Sequence, residues 1–154
     1  MPRHPVLRRL TPGERALGEE VFDGGLDTAR VRILAIPLWR RAFVAGPGLI
    51  VWPARDLPAD FAAAPLRAQA TFVHELTHVW QAQNGVRLLL AKLKAGDSEA
   101  AYAYEFTPNL DFIALNIEQQ AMVVEHAFLA SRGGRAPGPA ADYAALSSAW
   151  RRSA

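Results

Sequence analysis

The sequence contains no cysteine, and this absence narrows the chemistry that the protein can carry. It excludes a disulfide framework, a thiolate ligand for zinc and a nucleophilic thiol. A metal ion would therefore have to be held by histidine and carboxylate side chains. Histidine is itself scarce in this chain. The four histidines are His4, His74, His78 and His126.

The chain also lacks a long apolar run and a strong excess of charge of one sign. No stretch approaches the ~20 apolar residues of a membrane span, and the basic N-terminus does not lead into the apolar core of a signal peptide. The 17 basic and 15 acidic residues are nearly balanced, which gives no nucleic-acid signature. We expect a cytoplasmic protein with no membrane span and no nucleic-acid partner. Export by a system that reads no N-terminal signal is compatible with the same features.

The first third of the chain predicts one helix followed by a small sheet. Thr11 can cap the helix, Pro12 suits its first position, and Glu14 completes a capping box. Short apolar or alternating runs separated by proline and glycine then predict strands. These strands cover residues 27–36, 39–44 and 49–52 and should form a mainly antiparallel sheet.

The length of the chain and the positions of its glycine and proline residues predict one α+β domain with a short segment at each end. A chain of 154 residues fits a single domain. Glycine and proline become frequent after residue 132 and mark the end of this domain. The predicted organisation is a flexible N-terminus over 1–10, a domain over 11–133, a linker over 134–140 and a helix over 141–154. That last helix would pack on the domain or trail it.

The chemistry is concentrated in one run, His74-Glu75-Leu76-Thr77-His78. It lies in a helix predicted over residues 66–84, between a proline and a glycine. Residues four apart lie on one face of a helix, about 6 Å apart along its axis, so the two imidazoles can hold one metal ion. Glu75 flanks that face and can reach a water molecule on the metal. The spacing indicates a zinc site with a general base.

Two histidines need a third protein ligand to make a catalytic zinc site. A second helix is predicted over 112–131, capped by Asp111, and Glu118 lies in its middle. The apolar face of this helix would pack on the motif helix and point Glu118 inward. Glu125, two turns later on a similar face, and His126, which would give an all-histidine site, remain alternatives. The other acidic candidates are Asp111, Glu105 and Glu99.

The run H-E-L-T-H-V-W-Q, followed about forty residues later by I-E-Q-Q-A, resembles the gluzincin type of zinc metallopeptidase. It is more closely similar to bacterial Vgr-related proteins and to the metallopeptidase domains of contractile injection systems. The similarity covers about residues 11–132, including the runs at 26–31 and 60–65 outside the motif. The family to which this resemblance points is named largely from sequence, so it implies a chemistry but no particular substrate.

The resemblance implies a zincin-like α+β fold, in which a small sheet packs on the H-E-x-x-H helix and on a second long helix that bears a glutamate. His74, His78 and Glu118 match the ligands of Zn²⁺, and Glu75 matches the general base. The implied substrate is a polypeptide. The implied association is with a bacterial secretion or injection system.

One position departs from the thermolysin-like pattern. There, an aspartate one turn after the ligand glutamate orients a zinc-bound histidine, whereas this chain has Met122. Such an orienting hydrogen bond must then come from another residue, and Glu125 and Asn116 are the candidates.

Peptide hydrolysis also needs a hydrogen-bond donor for the developing oxyanion. Tyr102, Tyr104 and His126 are available, and Tyr104 is preferred because it lies in a predicted loop just before the ligand helix. The alternative function is a catalytically weak or inactive adaptor module, stabilised by zinc and associated with a secretion system. Glu75 favours the enzyme, since a purely structural zinc site has no use for a carboxylate beside the first histidine.

Overall fold

The structure is a computed structural model that describes residues 3–151, and over that range it is an α+β fold. Its strands are β1 (Val6–Arg9), β2 (Arg32–Ile36), β3 (Phe43–Gly46) and β4 (Leu49–Pro53). Its α-helices are α1 (Pro12–Phe22), α2 (Leu66–Gln83), α3 (Leu88–Ala95), α4 (Glu99–Tyr102), α5 (Ile117–Ser131) and α6 (Ala140–Leu146). Among these helices, none has both the length and the apolar character needed to cross a membrane.

The four strands form a mixed sheet with the order β1-β2-β4-β3. The outer pairings, β1 with β2 and β3 with β4, are antiparallel, in agreement with the predicted mainly antiparallel sheet. The central pairing of β2 with β4 is parallel, so the sheet is mixed. The reason is burial: β4 is apolar along its length, with Ile50, Val51 and Trp52 buried, and takes a central position. β3 alternates between exposed and half-buried residues and lies at an edge.

The N-terminal segment also differs from the prediction. The sequence predicts a flexible N-terminus over 1–10, whereas the structure pairs Val6–Arg9 with β2. The guanidinium of Arg8 donates to both carboxylate oxygens of Glu14 at 2.8 Å, which ties the strand to α1. Glu14 is fully buried and forms the predicted capping box with Thr11. Residues 1–2 of the predicted segment lie outside the described range.

Helix α2 packs against both the sheet and α5, and its bounds agree with the predicted motif helix. Phe72 stacks on Phe61 with ring centroids 4.5 Å apart, and Phe61 meets Trp52 of β4 edge-on at 4.6 Å. Just beyond the helix, Gly85 has a φ of 90°, a conformation that glycine adopts without a Cβ clash. The apolar face of α2 is thus anchored in the core, and its motif is held on a rigid element.

Helix α5 begins later than the sequence predicts. The predicted helix over 112–131 is capped by Asp111, but the observed cap is Asn116, and the residues before it form a separate 3₁₀ turn. The side chain of Asn116 accepts from the backbone of Gln119, and the side chain of Gln119 accepts from the backbone of Asn116. This reciprocal cap stops the helix from extending backwards. It places Glu118 in the first turn of α5, where the helix dipole favours a negative charge.

The C-terminal segment packs on the domain. The predicted linker over 134–140 leads into α6, which ends at Leu146 and is followed by a 3₁₀ turn over Ser147–Ala149. Helix α6 contacts α5, and the side chains of Tyr143 and Trp150 are buried. Residues 152–154 of the predicted helix lie outside the described range.

Candidate metal centre and cleft

Helix α2 presents both motif histidines on one face. The ring centroids of His74 and His78 lie 5.0 Å apart, and each residue is only 8% exposed. Glu118 approaches from α5, with its Oε2 atom 3.4 Å from Nε2 of His74 and 3.2 Å from Nε2 of His78. One ligand atom from each of the three residues lies within 4.8 Å of the others. This buried group could bind a metal ion.

The other nitrogen of each ring is held by a hydrogen bond. Nδ1 of His74 donates to Oε2 of Glu125 at 2.9 Å, and Nδ1 of His78 donates to Oε1 of Gln81 at 2.8 Å. The amide nitrogen of Gln81 donates to two oxygen atoms on α5, at 2.9 and 3.0 Å, so its oxygen must be the atom that faces His78. Both Nε2 atoms are therefore free to face a common point near Glu118.

Burial and hydrogen bonding shift the pKa values of this group in opposite directions. Burial lowers the pKa of His74, but hydrogen bonds to Glu118 and Glu125 outweigh it and raise that pKa to about 9. Burial raises the pKa of Glu118, but hydrogen bonds from His74 and His78 outweigh it and hold the pKa far below its usual range. Without a metal ion, a proton on imidazole thus supplies the positive charge that the buried carboxylate requires.

Glu75 is the one buried side chain here with an unsatisfied atom. It is 8% exposed, and within the described residues its Oε2 atom has no hydrogen-bond partner. Burial raises its pKa, which disfavours the charged carboxylate. A buried oxygen of this kind needs a water molecule or a ligand as a partner. Glu75 lines the cleft that contains both histidines, so such a partner has access to it.

The donor set is the one that a catalytic zinc site uses. Two imidazole nitrogens and one carboxylate oxygen converge, and an additional coordination position would remain for water or substrate. The convergence is independent of any bound ion, because Glu125 and Gln81 fix the rings and the first turn of α5 fixes Glu118. The residues present therefore fit zinc.

The metal centre opens into a cleft of about 750 Å³. The cleft is lined by the edge strand β3 with the residues just before it, and by residues of α3 and Tyr102 at the end of α4. Lys92 of α3 reaches toward the centre, with Nζ 3.7 Å from Oε1 of Glu118. The residues that supply most of the apolar lining are Phe43, Val44, Leu88, Leu89, Ile117 and Met122.

The structure does not bring Tyr104 to this cleft. Its hydroxyl lies 2.6 Å from Nδ1 of His126 and 2.6 Å from the hydroxyl of Tyr143, so it is used in packing α6 onto α5. Tyr102 lines the cleft instead, and its ring lies 6.3 Å from that of His74 at an angle of 25°. Of the two tyrosines, Tyr102 therefore lines the cleft and Tyr104 does not.

The other residues that the sequence offers as metal ligands or orienting residues occupy different positions in the structure. His126 belongs to the cluster with Tyr104, and Glu125 contacts Nδ1 of His74, so Glu118 is the residue that meets both Nε2 atoms. Asn116, which the sequence offers as an orienting residue, caps α5 and also donates to the carbonyl of Ala101 at 3.0 Å. It does not contact either histidine. Gln81, one turn after His78 on α2, makes the hydrogen bond to the second histidine.

Comparison with known proteins gives two matches that agree with each other. No family model matches the chain. The type VI secretion system spike protein VgrG2b of Pseudomonas aeruginosa is 34% identical in an alignment 134 positions long, which covers 79% of this chain and 13% of that protein. The solved effector domain of Pseudomonas aeruginosa VgrG2b is 30% identical, with a TM-score of 0.71, over 94% of this chain and 84% of that domain. The similarity is thus to one domain of a much longer protein.

Proposed function

The chain belongs to the family of the VgrG2b effector domain, and on this basis we propose that it is an effector module of a type VI secretion system. The match spans nearly all of this chain and most of the solved effector domain, which supports a shared role. In this proposal the protein is made in the cytoplasm and exported by that system without a signal peptide. The chain spans 13% of the full-length relative, so its connection to a spike is part of the proposal.

We further propose that the module is a zincin-like metallopeptidase that hydrolyses peptide bonds. The observation that carries this proposal is the unsatisfied Oε2 atom of Glu75 beside His74 and His78. Zinc held by these histidines and Glu118 would lower the pKa of a water molecule toward ~7 and polarise a substrate carbonyl. Glu75 accepts a proton from the attacking water and delivers it to the nitrogen of the leaving amine.

Other residues of the chain support this proton transfer. Glu125 and Gln81 hold the imidazoles in the tautomer with Nδ1–H, which leaves Nε2 as the ligand atom. Tyr102 can donate its hydroxyl hydrogen to the carbonyl oxygen as negative charge develops there. Burial and the nearby charge of Glu118 raise the pKa of Tyr102, so its hydroxyl keeps the proton at neutral pH.

The shape of the cleft supports a polypeptide as substrate. Strand β3 pairs with β4 on one side, and within the described sheet its other side has no partner strand. Phe43, Val44 and Ala45 of this edge strand line the cleft, where backbone N–H and C=O groups of an extended peptide could pair with the strand. Apolar side chains of α3 and α5 that line the same cleft could then contact the side chains of the peptide.

Glu75→Gln provides the test. We expect the wild-type protein to bind one zinc ion per chain and to cleave unfolded β-casein. Glu75→Gln should retain the zinc and the thermal unfolding midpoint but lose activity by about 10²–10⁴-fold. Glu19→Gln, which alters an exposed glutamate on α1, is the matched control and should be fully active. Equal behaviour of the wild type and Glu75→Gln in every cleavage assay would exclude the catalytic proposal.

A second candidate is a non-catalytic adaptor in which zinc stabilises the fold. It is supported by the position of the three ligands, which bridge α2 and α5, so that a metal ion would link these helices. The names of the two relatives also describe a spike protein and an effector domain and specify no reaction. The adaptor predicts that zinc removal lowers stability equally in the wild type and Glu75→Gln, and that neither protein cleaves casein.

A further inference from the structure

The connection between β2 and β3 holds an apolar side chain in an unfavourable backbone conformation at the surface. The backbone N–H of Trp39 donates to the carbonyl of Ile36 at 3.4 Å, which closes a turn with Pro37 and Leu38 at its centre. Leu38 has a φ of 62°, a value usually adopted by glycine at this turn position. Leu38 is also 92% exposed, so no core packing compensates for the strain. Such an outlier points to a functional constraint on the side chain.

This turn forms one side of a second cavity that is continuous with the metal cleft. The cavity has a volume of about 500 Å³ and shares Arg41, Phe43 and Lys92 with the cleft. The ring of Trp39, which is 41% exposed, packs at 5.7 Å against that of Phe43 on the edge strand. An extended chain bound along β3 would therefore pass from the metal centre toward an apolar site at Leu38 and Trp39.

The second cavity also carries an excess of positive charge. Arg40, Arg41 and Lys92 line it, against one carboxylate, Asp97. Asp97 lies 3.6 Å from Arg41 and 3.8 Å from Lys92, and all of these side chains remain largely exposed. Arg41 is also 3.5 Å from the hydroxyl of Tyr102, so the cationic rim reaches the wall of the metal cleft. Charge complementarity favours a carboxylate on the bound chain.

We propose that Leu38, Trp39 and the cationic rim form a specificity subsite for an extended polypeptide that carries a bulky apolar residue next to an acidic residue. The subsite would give the proposed peptidase its substrate specificity. It rests on that proposed function, because the substrate is taken to extend from the metal centre along β3. Leu38 and Trp39 contact the apolar side chain, and Arg40 or Arg41 pairs with the carboxylate. Two features of the cavity favour this occupant: its continuity with the cleft and its net positive charge.

The test uses Glu75→Gln protein, so that binding is measured without cleavage. The probes are blocked alanine hexapeptides that contain a Phe-Glu or Glu-Phe pair, with matched peptides in which Phe is replaced by Ala or Glu by Lys. Binding is measured by calorimetry and by tryptophan emission. We expect the Phe- and Glu-containing peptides to bind best, and added Leu38→Gly to weaken them by about tenfold. Leu38→Gly should fold normally, because glycine tolerates positive φ.

Two controls separate the subsite from general hydrophobic contact. Ile113→Ala removes an exposed apolar side chain that lies outside both cavities and should leave peptide binding unchanged. Trp39→Phe should lose the emission change, because the other three tryptophans, Trp52, Trp80 and Trp150, line neither cavity. Loss of this signal identifies Trp39 as the reporter.

The outcomes also separate the subsite from catalysis. The subsite proposal is overturned if the Glu75→Gln protein binds no peptide at 1 mM. It is also overturned if the added Leu38→Gly and the added Ile113→Ala give the same affinity for every peptide. A concentration-dependent dimer that Leu38→Gly abolishes, without peptide binding, would instead assign the surface to a second copy of the chain. If the binding pattern appears but wild-type protein cleaves none of the peptides or casein, the subsite stands and the peptidase proposal fails.

Discussion

His74 and Glu125 are joined by a hydrogen bond of 2.9 Å between Nδ1 and Oε2, which connects α2 to α5 beside the candidate metal centre. Glu125 supplies the carboxylate contact to a ligand histidine that Met122, one turn earlier on α5, has no means to make. The bond fixes the tautomer of His74 and makes its Nε2 atom a stronger donor to a metal ion. His78 has only the neutral amide of Gln81 in the same position, so the two ligands are supported unequally.

Glu125 should therefore control metal affinity. We expect Glu125→Gln, which keeps an oxygen acceptor but loses the charge, to weaken zinc binding by about tenfold, and Glu125→Ala by up to about 100-fold. Competition with a chromophoric chelator measures both. Glu19→Gln, on the exposed face of α1, controls for the loss of one negative charge. Unchanged affinity in Glu125→Ala would show that this hydrogen bond does not support the metal centre.

The sequence predicts a contact correctly where that contact depends on the spacing of residues within one helix. The four-residue spacing of His74 and His78 predicts their shared face, and the three-residue spacing of His78 and Gln81 places Gln81 on that face, where it contacts Nδ1 of His78. The bounds of α2 and the capping box of α1 follow from such local rules and are confirmed.

Other features depend on tertiary packing and had no local signal. Tyr102 and Tyr104 are two residues apart, and no local pattern indicates that Tyr102, at the end of the short helix α4, lines the cleft while Tyr104 does not. The parallel pairing of β2 with β4 depends on which strand is buried more deeply. The short strand β1 depends on the pairing of Arg8 with a buried glutamate on α1.

Asn116 should act on helix stability and not on metal binding. We expect Asn116→Ala to lower the free energy of unfolding by about 1 kcal/mol, because the cap of α5 is lost. Asn116→Asp, which retains a capping oxygen, should recover most of this stability. Urea denaturation measures the effect, and metal analysis should give the same zinc content for all three proteins. Loss of zinc in Asn116→Ala at full stability would restore its predicted role beside the histidines.

The metal-free protein should lose stability as the pH rises. The pKa of His74 is raised to about 9 in the folded protein from a usual value of 6.5, so protonated His74 favours the folded state. This contribution is complete below about pH 6.5 and is lost as the pH passes through 9. It amounts to about 3 kcal/mol. Urea denaturation of the metal-free protein between pH 6 and 9.5 measures the decline.

Two comparisons identify His74 as the source of that pH dependence. His74→Gln should flatten the profile, since the titrating ring is absent. Saturating zinc should also remove the decline in the wild type, because the metal ion takes the place of the proton and binds better as the pH rises. A metal-free profile that is flat for the wild type would contradict the raised pKa of His74.

Tyr102 and Tyr104 provide a matched pair because each loses one hydroxyl on conversion to phenylalanine, yet only Tyr102 lines the cleft. If Tyr102 stabilises the oxyanion, Tyr102→Phe should lower kcat on casein-derived peptides by about 10²-fold and leave KM and zinc content unchanged. Tyr104→Phe should retain activity but lower the free energy of unfolding by about 1–2 kcal/mol, because His126 and Tyr143 lose their shared partner. The reverse pattern, with kcat lost only in Tyr104→Phe, would return the oxyanion role to Tyr104 and would require α6 to move when substrate binds.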